Sequence, residues 1–230
     1  MARVISNIQV NDHIGLLEVE AASGGAAGQF YMLRAWNAEP LLPRAISIFD
    51  VKEHSIQFLY QVVGEGTRQL YRLRQGEDLQ LTGPFGNGFP QLTGRVALVG
   101  GGIGVAPFYY AARQYKSADL YLGFSEQPYL VEEFSRMASS VKVDVGGSIL
   151  DRLVFSDYDL VIACGPSGML KAVQMKQAAE GSRTNVYISV ENKMACAVGA
   201  CLACSIQHHS GRVQTCTDGP VFRAEEVTLL

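Results

Sequence analysis

Four of the chain's five cysteines crowd into CAVGACLACSIQHHSGRVQTC, Cys196 to Cys216. Four residues separate Cys196 from Cys201, two separate Cys201 from Cys204, and eleven separate Cys204 from Cys216. The first two gaps are those of the loop that wraps thiolates around a plant-type [2Fe-2S] cluster, whose fourth ligand arrives from a later strand. Ala195, Ala197, Gly199, Ala200 and Ala203 are all small, so backbone N–H groups can approach the cluster sulfides. A zinc site needs the same four ligands but usually pairs its cysteines as two short knuckles, so the observed spacing favours the cluster. His208 and His209 have the chemistry of Rieske-type ligands, but two adjacent polar histidines in a loop are more often simply solvated. Cys164 stands apart and is not counted as a ligand.

A second kind of chemistry is written in glycine. The apolar strand Val96 to Val99 runs into GGGIGVAP and then an apolar helix, so Gly101, Gly102, Ile103 and Gly104 form a loop with little side-chain bulk at a helix N-terminus. Such a loop can hold a pyrophosphate against free N–H groups. The dinucleotide fingerprint Gly-x-Gly-x-x-Gly fails, because Val105 occupies the third glycine position, and a tight turn with no ligand remains open. A second loop, ACGPSGM, with Cys164, Gly165 and Pro166, follows the strand Leu160 to Ala163 and opens another helix. Two such loops at one edge of a parallel sheet make a cleft where a ligand usually binds. After a further strand comes GFSEQ, where Glu126 can accept hydrogen bonds from an adenosine ribose and repel a 2′-phosphate, favouring NAD over NADP; a plain surface charge is equally consistent with this position.

Elements must position these groups. Up to about residue 92, alternating segments at Val4 to Val10, Leu16 to Glu20, Phe30 to Arg34, Ala45 to Asp50, Ser55 to Val62 and Leu79 to Leu81, separated by turn-rich stretches such as SGGAAG, predict a small antiparallel β-barrel. From Arg95 the rhythm becomes parallel α/β: strands at Val96 to Val99, Leu120 to Gly123, Val141 to Val145, Leu160 to Ala163 and Val186 to Val190, with helices clearest at Val105 to Tyr115 and Ser167 to Glu180. The remaining tail is too short for a core of its own, so a metal or cluster must help to fold it. The expected division is therefore 1–92, 93–190 and 191–230.

Composition excludes other classes. The 230 residues are 48% hydrophobic and 18% charged with a net charge of -3, and without a run of Lys or Arg nucleic acid is not an expected partner. The N-terminus MARVISNIQV lacks the features of a secretory signal, so a cytoplasmic location is expected. The uncharged stretch Val96 to Ala112 contains four glycines and Pro107 and divides into strand, loop and helix, so no membrane partner is expected.

With these regions in hand, the whole chain resembles the ferredoxin-NADP-reductase-type flavoproteins and, more closely, the electron-transfer subunits of bacterial dihydroorotate dehydrogenase B. The most specific likeness is ENKMACAVGACLAC followed by CTDGPVF; it implies that Cys196, Cys201, Cys204 and Cys216 hold the [2Fe-2S] cluster. RAISI at Arg44 to Ile48 resembles the family's Arg-Pro-Ile-Ser flavin motif, with Ala45 in place of proline. Arg44 would then face the FAD pyrophosphate and Ser47 the isoalloxazine, with Ala45 and Ile46 between them. FLYQVVGEGT resembles the segment lining the isoalloxazine and adenylate, with Leu59, Tyr60 and Gln61 on the strand and Gly66 and Thr67 at the turn. The family's CGP loop places Cys164 near the nicotinamide, although a lone cysteine is by default a buried thiol. No catalytic acid or base is demanded, because hydride exchange between NAD and flavin requires positioning.

The partner implied is the FMN-containing catalytic subunit that oxidises dihydroorotate to orotate in pyrimidine biosynthesis, in a heterotetramer of two copies of each, with electrons running from FMN through the cluster and FAD to NAD+. Two alternatives stay open: the electron-transfer subunit of a ferredoxin:NAD(P) oxidoreductase or sulfide dehydrogenase, and a zinc-stabilised nucleotide-binding regulator without catalysis.

Overall fold

The computed structural model describes residues 1–21 and 24–229. Ser23, which opens the SGGAAG stretch, lies outside the described residues.

The first unit comprises β1 (Ala2–Asn11), β2 (Ile14–Glu20), β3 (Phe30–Arg34), β4 (Arg44–Ser47), β5 (Asp50–Val51), β6 (Ser55–Gln61), α1 (Glu65–Arg72) and β7 (Asp78–Phe85). The strands form one antiparallel sheet in the order β4-β3-β7-β1-β2-β6-β5. Alternation places Leu17, Val19, Ile56 and Phe58 in its core.

The single strand expected at Ala45 to Asp50 is two. Between them Ile48 donates its N–H to Gln29 of the β3 side and Phe49 donates to Gln57 of β6. The chain thus changes partner strand across two buried residues, which brings the two edges of the sheet together. Helix α1 was not anticipated, because Gly64 and Gly66 read as a turn. Thr67 Oγ1 accepts the N–H groups of Val63 and Gly64, closing the first helical turn, and Leu70 is buried.

The second unit comprises β8 (Val96–Gly101), α2 (Ala106–Gln114), β9 (Asp119–Phe124), α3 (Val131–Ser135), β10 (Ser140–Val145), β11 (Leu160–Cys164), α4 (Ser167–Glu180) and β12 (Asn185–Ser189). Every residue of β8 and β11 is buried, as parallel strands covered on both faces require. The sheet order is β10-β9-β8-β11-β12 followed by one antiparallel strand. The chain runs outward from β8 in one direction and then returns to add β11 on the other side. The switch point therefore lies between β8 and β11, which places a crevice beyond their C-terminal ends. No described helix is long and apolar enough to cross a membrane.

The tail folds as β13 (Ser205–His208), β14 (Gly211–Gln214), β15 (Val221–Arg223) and β16 (Val227–Thr228). Strand β15 is the antiparallel edge beside β12, and β13 pairs with both β14 and β16. Phe222, Ala224 and Val227 are buried with Leu170, Ile188 and Val190 of the second unit, so the short tail borrows a core that it could not build alone. Asn87 ties it to the interdomain segment, donating to Asp218 and Val221 and accepting from the Val221 N–H.

The two large units meet through Phe49 stacked on Tyr109, at 4.4 Å between ring centroids, and through Arg113, which donates to the Asp50 carboxylate at 2.7 Å and to the Val51 carbonyl at 2.6 Å. Burial pushes the Asp50 carboxyl above its ordinary value while Arg113 pulls it down. Removing Arg113 leaves a buried carboxylate without its cation. Arg113→Ala is expected to destabilise the protein by about 2 kcal/mol, less than for a fully buried pair because Arg113 is 39% exposed. The deficit should be complete at neutral pH and shrink on acidification as Asp50 protonates through its raised folded-state value. Denaturant titrations at neutral and mildly acid pH measure both.

Candidate functional site

The crevice beyond β8 and β11 opens onto the first sheet, and one cleft is lined from both. From the antiparallel unit come Arg44, Ala45, Ile46 and Ser47 of β4, Leu59, Tyr60 and Gln61 at the end of β6, and Thr67 in the first turn of α1. From the parallel unit come Ile103, Gly104 and Cys164. Gly101, the last residue of β8, and Gly102, Gly165 and Pro166 in the two loops are not among the lining residues. A Cβ at Gly104 would lie 2.4 Å from the Cys164 carbonyl oxygen, and one at Gly165 would lie 3.1 Å from the Gly101 backbone. The glycines let the two loops touch, which draws both strand ends to one point. Gly102 has φ +55° with open space around it, so its requirement is conformational. Glu126 is exposed in the loop after β9, at the same sheet edge but outside the residues lining the cleft.

Within this set the structure separates side chains from backbone. The Tyr60 ring turns away, lying over Gly15 and donating its hydroxyl to Asn7 Oδ1 at 3.1 Å, and burial holds the phenol well above its usual range. What Tyr60 offers the cleft is main chain. Gly66 and Thr67 lie in a helix, not in the open turn expected, and Gly66 sits directly against Arg44.

Several lining residues escaped sequence reasoning, among them Phe30, Ser189, Glu191, Met194 and Pro220. Their common signal is position: each lies in or beside a segment already singled out, but on the side that tertiary packing turns inward. Glu191 is accessible within the cleft, yet protein surrounds it closely enough to hold its carboxyl above the ordinary value. Cys164 is buried. Desolvation, reinforced by the Glu191 charge and opposed by Ser189, pushes its thiol upward, so it stays a neutral thiol and is no nucleophile at physiological pH.

The cysteine loop caps the same region. Cys204 and Cys216 are 2% and 1% exposed, Cys196 is partly buried and Cys201 is open to solvent. Ala197, Gly199 and Leu202 all have positive φ, 59°, 77° and 58°, which coils the chain so that successive N–H groups turn inward. The Cys201 N–H donates to Cys196 Sγ at 3.4 Å, and this donor, with those of Val198 and Ala200 and the Cys201 thiol, lowers the Cys196 thiol to about 6. Burial and the Cys204 thiol push Cys216 up to about 11, against the Gly199 N–H. Cys201 thus lies against Cys196, and Cys204 and Cys196 lie near Cys216, so the four thiols gather beside the N–H groups of Val198, Gly199, Ala200 and Cys201, a donor set that fits an anionic iron–sulfur cluster. Cys204 is fastened to the strand before Cys216 by Thr215, whose N–H and Oγ1 both donate to the Cys204 carbonyl.

The histidines lie elsewhere. His208, expected to be solvated, is largely covered: its Nδ1 is 2.7 Å from Ser210 Oγ and its Nε2 3.4 Å from Glu226, while His209 is exposed beside it. These three ligand-type groups gather within 4.8 Å, and hydrogen bonds account for the arrangement.

The cradle and the cleft share one wall. Cys204, Cys216 and Ala197 pack with Phe30, Met32 and Ala45, while Phe30 and Ala45 also line the cleft. Residues 191–228, which include every cysteine of the cradle, match the family model of the iron–sulfur cluster binding domain of dihydroorotate dehydrogenase B. A relative from Clostridium acetobutylicum named dihydroorotate dehydrogenase B (NAD(+)), electron transfer subunit, is 41% identical, covering 99% of this chain and 96% of its own length. The chain belongs to that family of electron transfer subunits. A relative of the same name from Clostridium perfringens is 38% identical over 98% of this chain and 96% of its own. Among solved structures, a chain of an NADH-dependent reduced ferredoxin-NADP oxidoreductase superposes with a TM-score of 0.88 at 26% identity, covering all of this chain and 90% of that one. The likeness extends to all three regions, the antiparallel sheet, the parallel α/β sheet and the iron–sulfur binding domain.

Because the Tyr60 hydroxyl faces Asn7, Tyr60→Phe is expected to leave flavin binding unchanged while costing about 1 kcal/mol of stability for the lost hydrogen bond. Flavin titration and denaturant unfolding of the same variant check the two halves. Cys216→Ser removes a buried donor from the cradle and is expected to eliminate bound iron, whereas Cys164→Ser retains it; iron and sulfide analysis of both proteins decides.

Proposed function

We propose that this chain carries electrons between a partner dehydrogenase and NAD+, with FAD in the shared cleft and a [2Fe-2S] cluster on Cys196, Cys201, Cys204 and Cys216. The observation that carries the reading is the common wall: the strands lining the cleft pack on their other contacts against the buried cysteines. A bound flavin supplies both hydride exchange with nicotinamide and single-electron exchange with an iron–sulfur centre.

The residues divide the work of holding and excluding. The first unit acts as a flavin-holding barrel in which Arg44 presents a cation to the pyrophosphate, and Ser47, Thr67 and the main chain of Leu59 to Gln61 offer hydrogen-bonding groups along the wall. The loops Gly101 to Gly104 and Cys164 to Pro166 bring backbone N–H groups to the dinucleotide. Glu126 accepts from the adenosine ribose and repels a 2′-phosphate, selecting NAD. Neutral Cys164 supplies bulk beside the nicotinamide without charge or nucleophilicity.

Val198 and Leu202, 60% and 61% exposed, flank Cys201 on the outer side of the cradle. This apolar rim suits docking of the FMN-containing dihydroorotate dehydrogenase catalytic subunit, in an assembly of two copies of each. The names of the full-length relatives support dihydroorotate as the electron source, with orotate formed on the partner, in pyrimidine biosynthesis.

Anaerobic purification of the full chain, with flavin, iron, sulfide and zinc analysis, tests the cofactors. About one FAD, two irons and two sulfides per chain are expected, with a visible spectrum bleached by NADH and much more slowly by NADPH. A colourless, flavin-free zinc protein would overturn the reading. Adding the catalytic subunit and dihydroorotate should then generate NADH from NAD+; failure with both cofactors present would move the electron source to another partner.

A further inference from the structure

The loop between β3 and β4 is fastened along its length by side chains. Arg34, the last residue of β3, donates Nε to the Trp36 carbonyl at 2.9 Å and Nη2 to those of Asn37 and Ala38 at 2.9 and 3.1 Å. The Trp36 indole N–H donates to the Pro40 carbonyl, and Gln69 of α1 donates to the Glu39 carbonyl at 3.1 Å. The indole is thereby immobilised, 8% exposed, and does not itself line the cleft.

Its face carries the cation that does. The Arg44 guanidinium carbon lies 5.4 Å from the centroid of the Trp36 ring, and Arg44 Nη1 donates to the Leu42 carbonyl at 2.5 Å. Gly66 completes the enclosure: a Cβ there would stand 2.7 Å from Arg44 Nε and 2.8 Å from Trp36 Cη2. A long arginine loses much rotamer freedom when it is fixed. Here the indole, the loop carbonyl and the helix backbone have already restricted it before any ligand arrives.

We propose that Trp36 is a positioning residue for Arg44, setting FAD affinity through the orientation of a guanidinium that it touches, without meeting the cofactor itself. The proposal rests on the assignment of Arg44 to the FAD pyrophosphate. Trp36 is the chain's single tryptophan, so its fluorescence reports directly on this contact and should be quenched when flavin binds.

The test uses the full chain with its cluster, and measures the FAD dissociation constant over a range of KCl concentrations for wild type, Trp36→Met, Trp36→Phe, Arg44→Ala and the double variant that combines Trp36→Met with Arg44→Ala. Methionine fills much of the space without a ring. Trp36→Met is expected to weaken FAD about tenfold and flatten the salt dependence, whereas Trp36→Phe, which keeps a ring face, stays within about threefold of wild type. The double variant should bind within about twofold of Arg44→Ala alone, because the indole acts only through the arginine. Losses that multiply in the double variant, or a Trp36→Phe protein as weak as Trp36→Met with unaltered salt dependence, would overturn the proposal and leave Trp36 a core residue. If Arg44→Ala alone binds FAD like wild type, the pyrophosphate assignment fails first, and the positioning role falls with it.

Discussion

The antiparallel pairing of β3 with β4 is the constraint on which the rest of the site depends. Its register sets Met32 opposite Ala45 and Phe30 opposite Ser47, so one two-stranded ribbon supplies the wall of the cleft and the floor beneath Cys204 and Cys216. A slip of one residue would exchange the faces of the strand and turn Tyr31 and Leu33, now buried in the core of the first unit, toward the cysteines. The ribbon is anchored on both flanks. On one side β3 pairs with β7. On the other the chain leaves β4 through buried Ile48 and Phe49, and Phe49 stacks on α2 of the second unit.

A second constraint meets the first from the opposite wall. The switch point between β8 and β11 delivers two strand ends to the same place, and glycine lets their loops touch. Bulk at Gly104 would press on the Cys164 carbonyl and reopen the distance between the strands' ends. The tail then closes the third side. Strand β15 extends the second sheet while Pro220 and Met194 reach the cleft, so the cysteine cradle is held by two sheets at once.

Electrostatics follow from this enclosure. Thiols that face backbone N–H groups and solvent are lowered, as at Cys196, and thiols pressed into the shared core are raised, as at Cys216 and Cys164. The same residue type is therefore shifted in opposite directions according to what lies within a few ångströms of the sulfur, and Cys164, outside the cradle, stays a neutral thiol.

Residues whose meaning is local were legible in the chain. Cysteine spacing named the cradle, because a cluster of fixed size demands ligands at fixed offsets. Apolar runs and glycine loops marked β8 and β11, because a strand buried on both faces has no polar positions, and α4 spans the expected residues from Ser167 to Glu180, with Gly181 at its end in the left-handed conformation. Helix α1 was hidden by two glycines, since its stability comes from Thr67 closing the turn and from Leu70 entering a core assembled from distant strands. The break between β4 and β5 was hidden because Ile48 and Phe49 are as apolar as a continuous strand, and only the change of partner interrupts it. The direction of Tyr60, the covering of His208 by Glu226, and the convergence of Glu191, Cys164 and Ser189 belong to tertiary structure alone. Each depends on which face of one element another element covers, and that is decided by long-range packing, which local sequence does not encode.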